Sequence, residues 1–373
     1  MNTVKVFIAT EVRIYRVNNH YYADAPFAKI IERYSKNFGK VTLATRILDD
    51  DKKKKGYVQI DDYCCEFDGI GSLRGFLLKK TPDQIISHFK ESDLIILRLP
   101  SVISVKMHHL IKKYSKKYLT EVMGCAWDGY WNHGLTGKMI APLMFFNMRR
   151  IVKNADYGIY VTQQFLQKRY PNKNMENTIG ISNVDIKSVD SPKKYDSFDK
   201  NNFSMMTAAA LNVKYKGQEY VIKAIKRLKN KYGINVIYYL AGKGDDARLK
   251  RIAEKNGVLD NVVFCGMLSR DELSKKMREV DFYIQPSLQE GLPRSLIEAM
   301  SHGTVCMGSN VAGIPELLEN DKVFRSKCEE CIIDVIIKLQ KGDTVVSARG
   351  TEPDIINASV KAYIAGVNRL LRD

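Results

Sequence analysis

The sequence predicts an α/β protein of two doubly wound, Rossmann-like domains facing a cleft, and three observations carry that prediction. The chain has 373 residues, more than a typical single domain gathers around one core. Apolar runs of strand length alternate with segments of helical periodicity in each half, the pattern of a parallel sheet covered by helices. Between the two sets, residues 185–202 turn polar and rich in Ser, Asp and Lys around Pro192, as a linker does. The boundaries that follow are 1–190 for a first domain and 200–353 for a second, with an amphipathic helix over 354–373 that packs back on the first.

In the first half, residues 4–10 open as a buried strand, 27–37 have helical periodicity and 41–45 form a second strand. Strand-like runs at 93–99, 118–123, 157–161 and 178–181 continue the series. Residues 11–22 are bulky and polar, and read either as the wall of an acceptor pocket or as a surface loop. In the second half the strands fall at 203–208, 235–241, 261–265, 281–284 and 304–307, with helices at 218–232, 245–256, 270–280 and 294–302. Open sheets of this kind bind ligands beyond the carboxyl ends of their strands.

The most informative stretch runs from Gln289 to Met300 and reads as a tight loop followed by a helix start. Pro293 suits the first helical position, where its fixed φ fits and its missing N–H would be unpaired anyway. The amides of Arg294 and Ser295 then lack an intrahelical acceptor and lie at the positive end of the helix dipole, an arrangement suited to a phosphate. Glu290 stands in the loop before the helix, and Glu298 about two turns into it. Carboxylates accept hydrogen bonds from sugar hydroxyls, so the layout fits a sugar–diphosphate–ribose ligand. The plain alternative is a helix start carrying the acidic residues that first turns favour.

Lys and Arg total 59 against 42 acidic residues, a formal net charge of +17. That excess attracts phosphates, an anionic membrane surface or nucleic acid, or it is simply a lysine-rich solvated surface. Residues 105–117 and 139–151 combine apolar and basic residues at helical spacing, as either anionic-lipid-binding stretches or ordinary surface helices. No apolar run reaches the roughly 18 residues of a bilayer span. The N-terminus turns polar too soon for a signal peptide, so the chain is expected in the cytoplasm, with its charge suggesting a peripheral place on the inner face of the membrane. The seven cysteines are scattered, which argues against a disulfide framework, and Cys328-Glu329-Glu330-Cys331 lacks the second pair that a zinc site needs.

The segment 211–318 resembles the nucleotide-sugar-binding domain of the family 4 retaining glycosyltransferases of the GT-B fold. The motifs that carry the resemblance follow in order: Lys216-Gly217, Ala241-Gly242-Lys243-Gly244, Val263-Phe264-Cys265-Gly266, Pro286-Ser287, Glu290 with Glu298-Ala299-Met300, and Gly313-Ile314-Pro315-Glu316. The first half matches the family only in its strand pattern and in Ser182-Asn183-Val184-Asp185. The resemblance implies that Glu290 contacts hydroxyls of the transferred sugar and that Glu298 holds the ribose hydroxyls. It implies that the amides of Gly291 and Leu292 face the sugar, those of Arg294 and Ser295 the diphosphate, and that the Gly242 turn belongs to the donor half. Lys216 would neutralise the leaving diphosphate, where a fixed cation helps most.

Two departures stand out. The arginine that the family sets a few residues before the lysine is absent, and Lys214 either supplies the second charge or is a plain surface lysine. The glycine pair expected after the first strand is missing too. The family often brings a histidine of the first domain near the sugar; residues 125–134 hold Trp127, Asp128 and His133, where aromatic faces and polar groups suit a donor- or acceptor-sugar loop. His133 reads equally as a structural histidine.

The activity implied is transfer of a sugar, with retention of configuration, from a nucleotide diphosphate sugar to a hydroxyl of a glycan or polyprenyl-diphosphate-linked glycan in surface polysaccharide biosynthesis. No metal or other cofactor is expected; donor base, sugar and acceptor stay open. One alternative is an NAD-dependent oxidoreductase, because Gly242-Lys243-Gly244-Asp245-Asp246-Ala247 matches GxGxxA after a strand. The acidic residue that such a site needs would be Glu254 or Asp260, and neither ends a strand. The other alternative is a basic nucleic-acid-binding protein, for which no binding motif is present.

Overall fold

A computed structural model of the protein describes residues 4–50, 56–132, 134–182, 184, 186, 199–318, 323–324, 333–341 and 344–352. The chain divides into two units, Met1–Ile181 and Ser182–Asp373. His133, the helix expected over 354–373 and the cysteine pair at 328 and 331 lie outside the described residues.

The first unit runs β1 (Val6–Val17), β2 (His20–Asp24), α1 (Ala25–Phe38), β3 (Val41–Asp49), β4 (Tyr57–Gln59), β5 (Cys64–Gly69), α2 (Leu73–Leu78), α3 (Asp83–Glu91), β6 (Leu94–Leu99) and α4 (Val102–Tyr114). It continues with β7 (Lys117–Val122), α5 (Ala126–Trp131), α6 (Gly134–Lys153), β8 (Tyr157–Tyr160), α7 (Phe165–Arg169) and β9 (Thr178–Gly180). Its parallel strands lie in the order β5-β3-β1-β6-β7-β8-β9, so the winding reverses between β1 and β6. Val6, Ile8, Leu43 and Ile96 from the strands pack with Phe27, Ala28 and Ile31 of α1. That helix starts where Asp24 caps the Phe27 amide at 2.9 Å and stops at Gly39, whose φ of 85° no β-carbon has to endure.

Residues 11–22 are not a surface loop: β1 runs on to Val17 and turns back as an antiparallel hairpin into β2, with Val17 opposite His20. Asn18 and Asn19 both take positive φ, 48° and 64°, as the tight turn of a right-twisted hairpin demands. The register of β1 against β3 slips between Ala9 and Arg13. Within this bulge the Glu11 carboxylate accepts the Val102 amide at the start of α4. The stretch after β7, expected as a loop, winds into the single-turn helix α5.

The second unit comprises β10 (Asn202–Ala208), α8 (Gln218–Tyr232), β11 (Asn235–Ala241), α9 (Ala247–Lys255), β12 (Val262–Gly266), α10 (Arg270–Glu279), β13 (Phe282–Gln285), α11 (Arg294–Ser301), β14 (Val305–Ser309), α12 (Ile314–Leu317) and β15 (Val323–Phe324). Its six strands are parallel in the order β12-β11-β10-β13-β14-β15, with the reversal between β10 and β13. An antiparallel pair, β16 (Ile333–Lys341) and β17 (Thr344–Glu352), follows without a counterpart in the periodicity-based reading. Phe203, Met205, Val236, Leu240 and Ile284 pack under Ile222, Ile225 and Leu228 of α8. The buried Tyr238 hydroxyl is satisfied by Thr207 Oγ1 at 2.7 Å, which in turn donates to the Ile284 carbonyl at 2.6 Å.

The hairpin turn supplies the first prediction. Asn19→Gly should leave the denaturation midpoint unchanged or raised, whereas Asn19→Val, a β-branched residue at positive φ, should lose about 1–2 kcal/mol in chemical denaturation. Equal effects of the two substitutions would contradict the turn.

Candidate functional site

The reversal between β10 and β13 sends the two loops that leave these neighbouring strands in opposite directions, opening the crevice where sheets of this type hold ligands. Loop 209–217 follows β10 and loop 286–293 follows β13. They are bound to each other: the Leu288 amide donates to the Tyr215 carbonyl at 2.7 Å. A β-carbon on Gly217 would lie 1.9 Å from the Pro286 carbonyl oxygen, and its φ is +73°. Gly242, at the end of β11, has the same constraint, since a β-carbon there would lie 1.9 Å from the Ala209 carbonyl oxygen at φ +155°. The two glycines of the sequence motifs are thus points where backbone touches backbone.

Three donors, two from these loops and one from the end of β13, converge on one carboxylate oxygen. Glu290 Oε1 accepts from Lys216 Nζ at 2.6 Å, Ser287 Oγ at 2.6 Å and Gln285 Nε2 at 3.0 Å. Glu290 Oε2 has no hydrogen bond among the described residues. Gln285 is held in turn: its Oε1 accepts from Tyr283 OH at 3.0 Å and from Ser295 Oγ at 3.3 Å, and its Nε2 also reaches Ser287 Oγ at 2.9 Å. Ser309 Oγ donates to the Ser287 carbonyl. Gln285, Ser287 and Ser309 are fully buried. Ser287 entered the sequence reading only as part of the Pro286-Ser287 motif, without a role, and Gln285 and Ser309 not as candidates, though a glutamine closing the otherwise apolar run Phe282-Tyr283-Ile284 was a signal that the strand ends at something polar.

Pro293 occupies the N-cap of α11 rather than its first helical position, and the helix begins one residue later at Arg294. The Ile297 amide closes the first turn onto the Pro293 carbonyl at 3.3 Å. No side chain caps this helix, and the amides of Arg294 and Ser295 lie in its first turn, where α-helices leave backbone donors without an intrahelical acceptor, next to Gly291 and Leu292 of the preceding loop. Glu298 is half-buried. Burial pushes its carboxyl above the usual range, opposed only in part by the guanidinium groups of Arg294 and Arg270. Lys214 and Lys216 share one turn of 3-10 helix, yet only Lys216 meets Glu290; Lys214 is exposed, and its ammonium has no partner among the described residues.

In the first unit, Trp127 stacks on Trp131 at 5.1 Å between ring centres and meets Phe145 edge-on at 6.1 Å. Asp128 faces Arg169 at 4.0 Å. No group of three or more His, Cys, Asp or Glu among the described residues is placed to hold a metal ion.

The chain is similar to known proteins. A model of the family "Glycosyl transferases group 1" matches residues 190–365. Protein CapJ of Staphylococcus aureus is 30% identical over 371 residues, covering 95% of this chain and 89% of that protein. The chain belongs to the group 1 glycosyltransferases. Family membership selects glycosyl transfer over the oxidoreductase and nucleic-acid readings, and the Gly242 turn is part of a glycosyltransferase. The amylovoran biosynthesis glycosyltransferase AmsK of Erwinia amylovora is 33% identical over 124 residues, 31% of this chain and 30% of that one. Anabaena HepE, solved in complex with UDP and glucose, superposes with a TM-score of 0.60 at 14% identity, over 98% of this glycosyltransferase and 91% of that chain. The likeness shows the GT-B fold.

Two predictions follow from this geometry. Gly217→Ala should destabilise the second unit by about 3 kcal/mol or more in denaturant titration, since the obstructing atom is backbone and cannot swing away; a shift below about 0.5 kcal/mol would show that the loops are not pressed together. The second concerns Glu298, whose proton is held more tightly in the folded than in the unfolded chain. The unfolded state therefore binds fewer protons, and stability falls as pH rises from the ordinary carboxyl range through the raised folded value. Glu298→Gln should flatten that decline and raise the melting temperature at neutral pH, measured by thermal unfolding from acid to neutral pH.

Proposed function

We propose that this glycosyltransferase is a family 4 retaining enzyme that transfers a sugar from a nucleotide diphosphate sugar to a hydroxyl of a glycan or polyprenyl-diphosphate-linked glycan. The setting is surface polysaccharide assembly at the cytoplasmic face of the membrane. The observation that carries the reading is the convergence of Lys216, Gln285 and Ser287 on Glu290 at the reversal of the second sheet, beside a helix start with no side-chain cap. The complex of HepE with UDP and glucose, and the amylovoran role in AmsK's name, support donor class and setting.

In this reading the nucleotide lies against the second unit, its ribose hydroxyls on Glu298 and its diphosphate at the amides of Arg294 and Ser295. The sugar faces Gly291, Leu292 and the free Oε2 of Glu290. Bond breaking between the anomeric carbon and the diphosphate oxygen builds negative charge on the leaving group, and the Lys216 ammonium, fixed by Glu290, stabilises it without reorganisation. The acceptor oxygen bonds to the anomeric carbon on the face that the diphosphate leaves, and its proton passes to a leaving phosphate oxygen. Lys214 adds a second, mobile charge in place of the family's arginine. Trp127, Asp128 and His133 form a sugar or acceptor loop. The step uses no metal or other cofactor.

A thermal-shift screen of UDP-, GDP- and ADP-sugars identifies the donor, since a ligand that binds only the folded state raises its stability. With that donor, Glu290→Ala and Lys216→Ala should lower kcat by about 10²–10³-fold. Nucleotide affinity should stay nearly unchanged in Glu290→Ala and should fall in Glu298→Ala and Lys214→Ala. The reverse pattern would overturn the assignments, as would a product of inverted anomeric configuration by NMR.

A further inference from the structure

Helix α6 presents its apolar residues to water. Leu135 and Met139 are 81% exposed, Leu143 63% and Phe146 65%. Spacings of four, four and three residues put these side chains on one face of the helix. The opposite face, with Ala141, Met144, Met148, Ile151 and Val152, is buried in the first unit. A helix apolar on both faces belongs inside a protein or against another apolar phase. A contiguous exposed stripe of this kind marks a docking surface. Helix α4, the other candidate for lipid contact, is ordinary by comparison: its Ile103, Met107 and Ile111 are buried.

Charge identifies the occupant. Exposed cations rim the stripe, Lys138, Arg149, Arg150 and Lys153 on α6 and Lys112 and Lys113 on α4, and neither helix carries an Asp or Glu. Beside the end of the stripe, a cavity of about 200 Å³ opens between the two helices, lined by His108, His109, Lys112, Asn147 and Arg150. Arg150 lies one turn beyond Phe146, so apolar contact and anion seat are adjacent. At the other end Trp131 stacks on Trp127 with Lys138 Nζ 5.6 Å above its ring, an aromatic–cation pair suited to a headgroup layer. A second copy of the chain docking face to face would bring these cations against one another. None of the described helices is long and apolar enough to cross a membrane, so the stripe lies on a surface.

We infer that the outward face of α6 is an interfacial anchor for an anionic bilayer, with Leu135, Met139, Leu143 and Phe146 entering the acyl boundary and the Arg150 cavity seating a lipid phosphate. The inference rests on the first unit alone, independent of the donor-site reading. Apolar burial supplies retention, and the cations select the lipid.

The chain's two tryptophans, Trp127 and Trp131, report on this region without mutation. Vesicles of equal phosphatidylglycerol and phosphatidylcholine should float the full-length protein, less so at high salt, and bromine-labelled acyl chains in them should quench its tryptophan fluorescence. Vesicles of phosphatidylcholine alone should do neither. Leu143→Glu with Phe146→Glu should reduce flotation about tenfold or more at an unchanged melting temperature. Arg149→Glu with Arg150→Glu should abolish the preference for anionic lipid. Absence of wild-type flotation and quenching, or flotation undiminished in the double-glutamate variant, would overturn the assignment. So would a concentration-dependent dimer that Phe146→Glu dissolves while vesicles stay unbound.

Discussion

The second unit depends on one buried carboxylate. Glu290, with its side chain only 10% exposed, has protein donors in place of its lost water. Those donors come from three places: Lys216 in the loop after β10, Gln285 at the end of β13, and Ser287 in the loop that follows it. Their convergence fixes the two loops that border the crevice, and the remaining constraints follow from it. Gly217 must lack a β-carbon because the loops are drawn together until its backbone meets Pro286. Tyr283 and Ser295 hold Gln285, and Ser309 holds Ser287, so α11 and β14 are tied into the same network. A cation fixed by such a shell is already in place when charge develops on a ligand, which is what electrostatic catalysis requires.

The two units share the doubly wound topology but differ at the corresponding place. In the first, the helix that follows the reversal, α4, has its opening amides occupied by the chain itself, through Ser101 as cap and the Glu11 carboxylate on Val102. In the second, α11 has only Pro293 at its start. Fold is therefore silent on where an anion binds; local chemistry decides it. The Glu11 carboxylate, in the bulge of β1, already occupies the Val102 amide at the start of α4.

Much of this was legible in the sequence, and the failures have physical causes. Strands β10 to β14 and helices α8 to α11 followed from periodicity, because buried parallel strands read as uninterrupted apolar runs. Glu290 and Lys216, named from separate motifs far apart in the chain, meet at 2.6 Å. Gln285 was passed over, and Ser287 was quoted in a motif without a role, because a polar residue at the end of a buried strand resembles the start of a loop. The hairpin at Asn18-Asn19 was missed because its alternation is diluted by Tyr and Arg, which suit a half-exposed strand and a loop alike. Pro293 was misplaced by one residue, a difference that turns on the cap geometry rather than on composition. Residues 139–151 read as either a lipid-binding stretch or an ordinary surface helix, and periodicity could not decide between them because α6 is apolar on both faces.

Two features run against the stability of the isolated protein, and they lie in different units. Glu298 keeps a carboxyl whose charge burial opposes, and α6 leaves four large apolar side chains in water. A chain under no constraint but folding would lose both at little effort, by an amide at one place and polar residues at the other. Each penalty is relieved only by a second body, hydrogen-bond donors for the carboxylate and an apolar phase for the helix. The two costs are independent, one a buried charge and the other an exposed apolar stripe, and they fall on different units. Local cost without local compensation is the physical trace that function leaves in this structure.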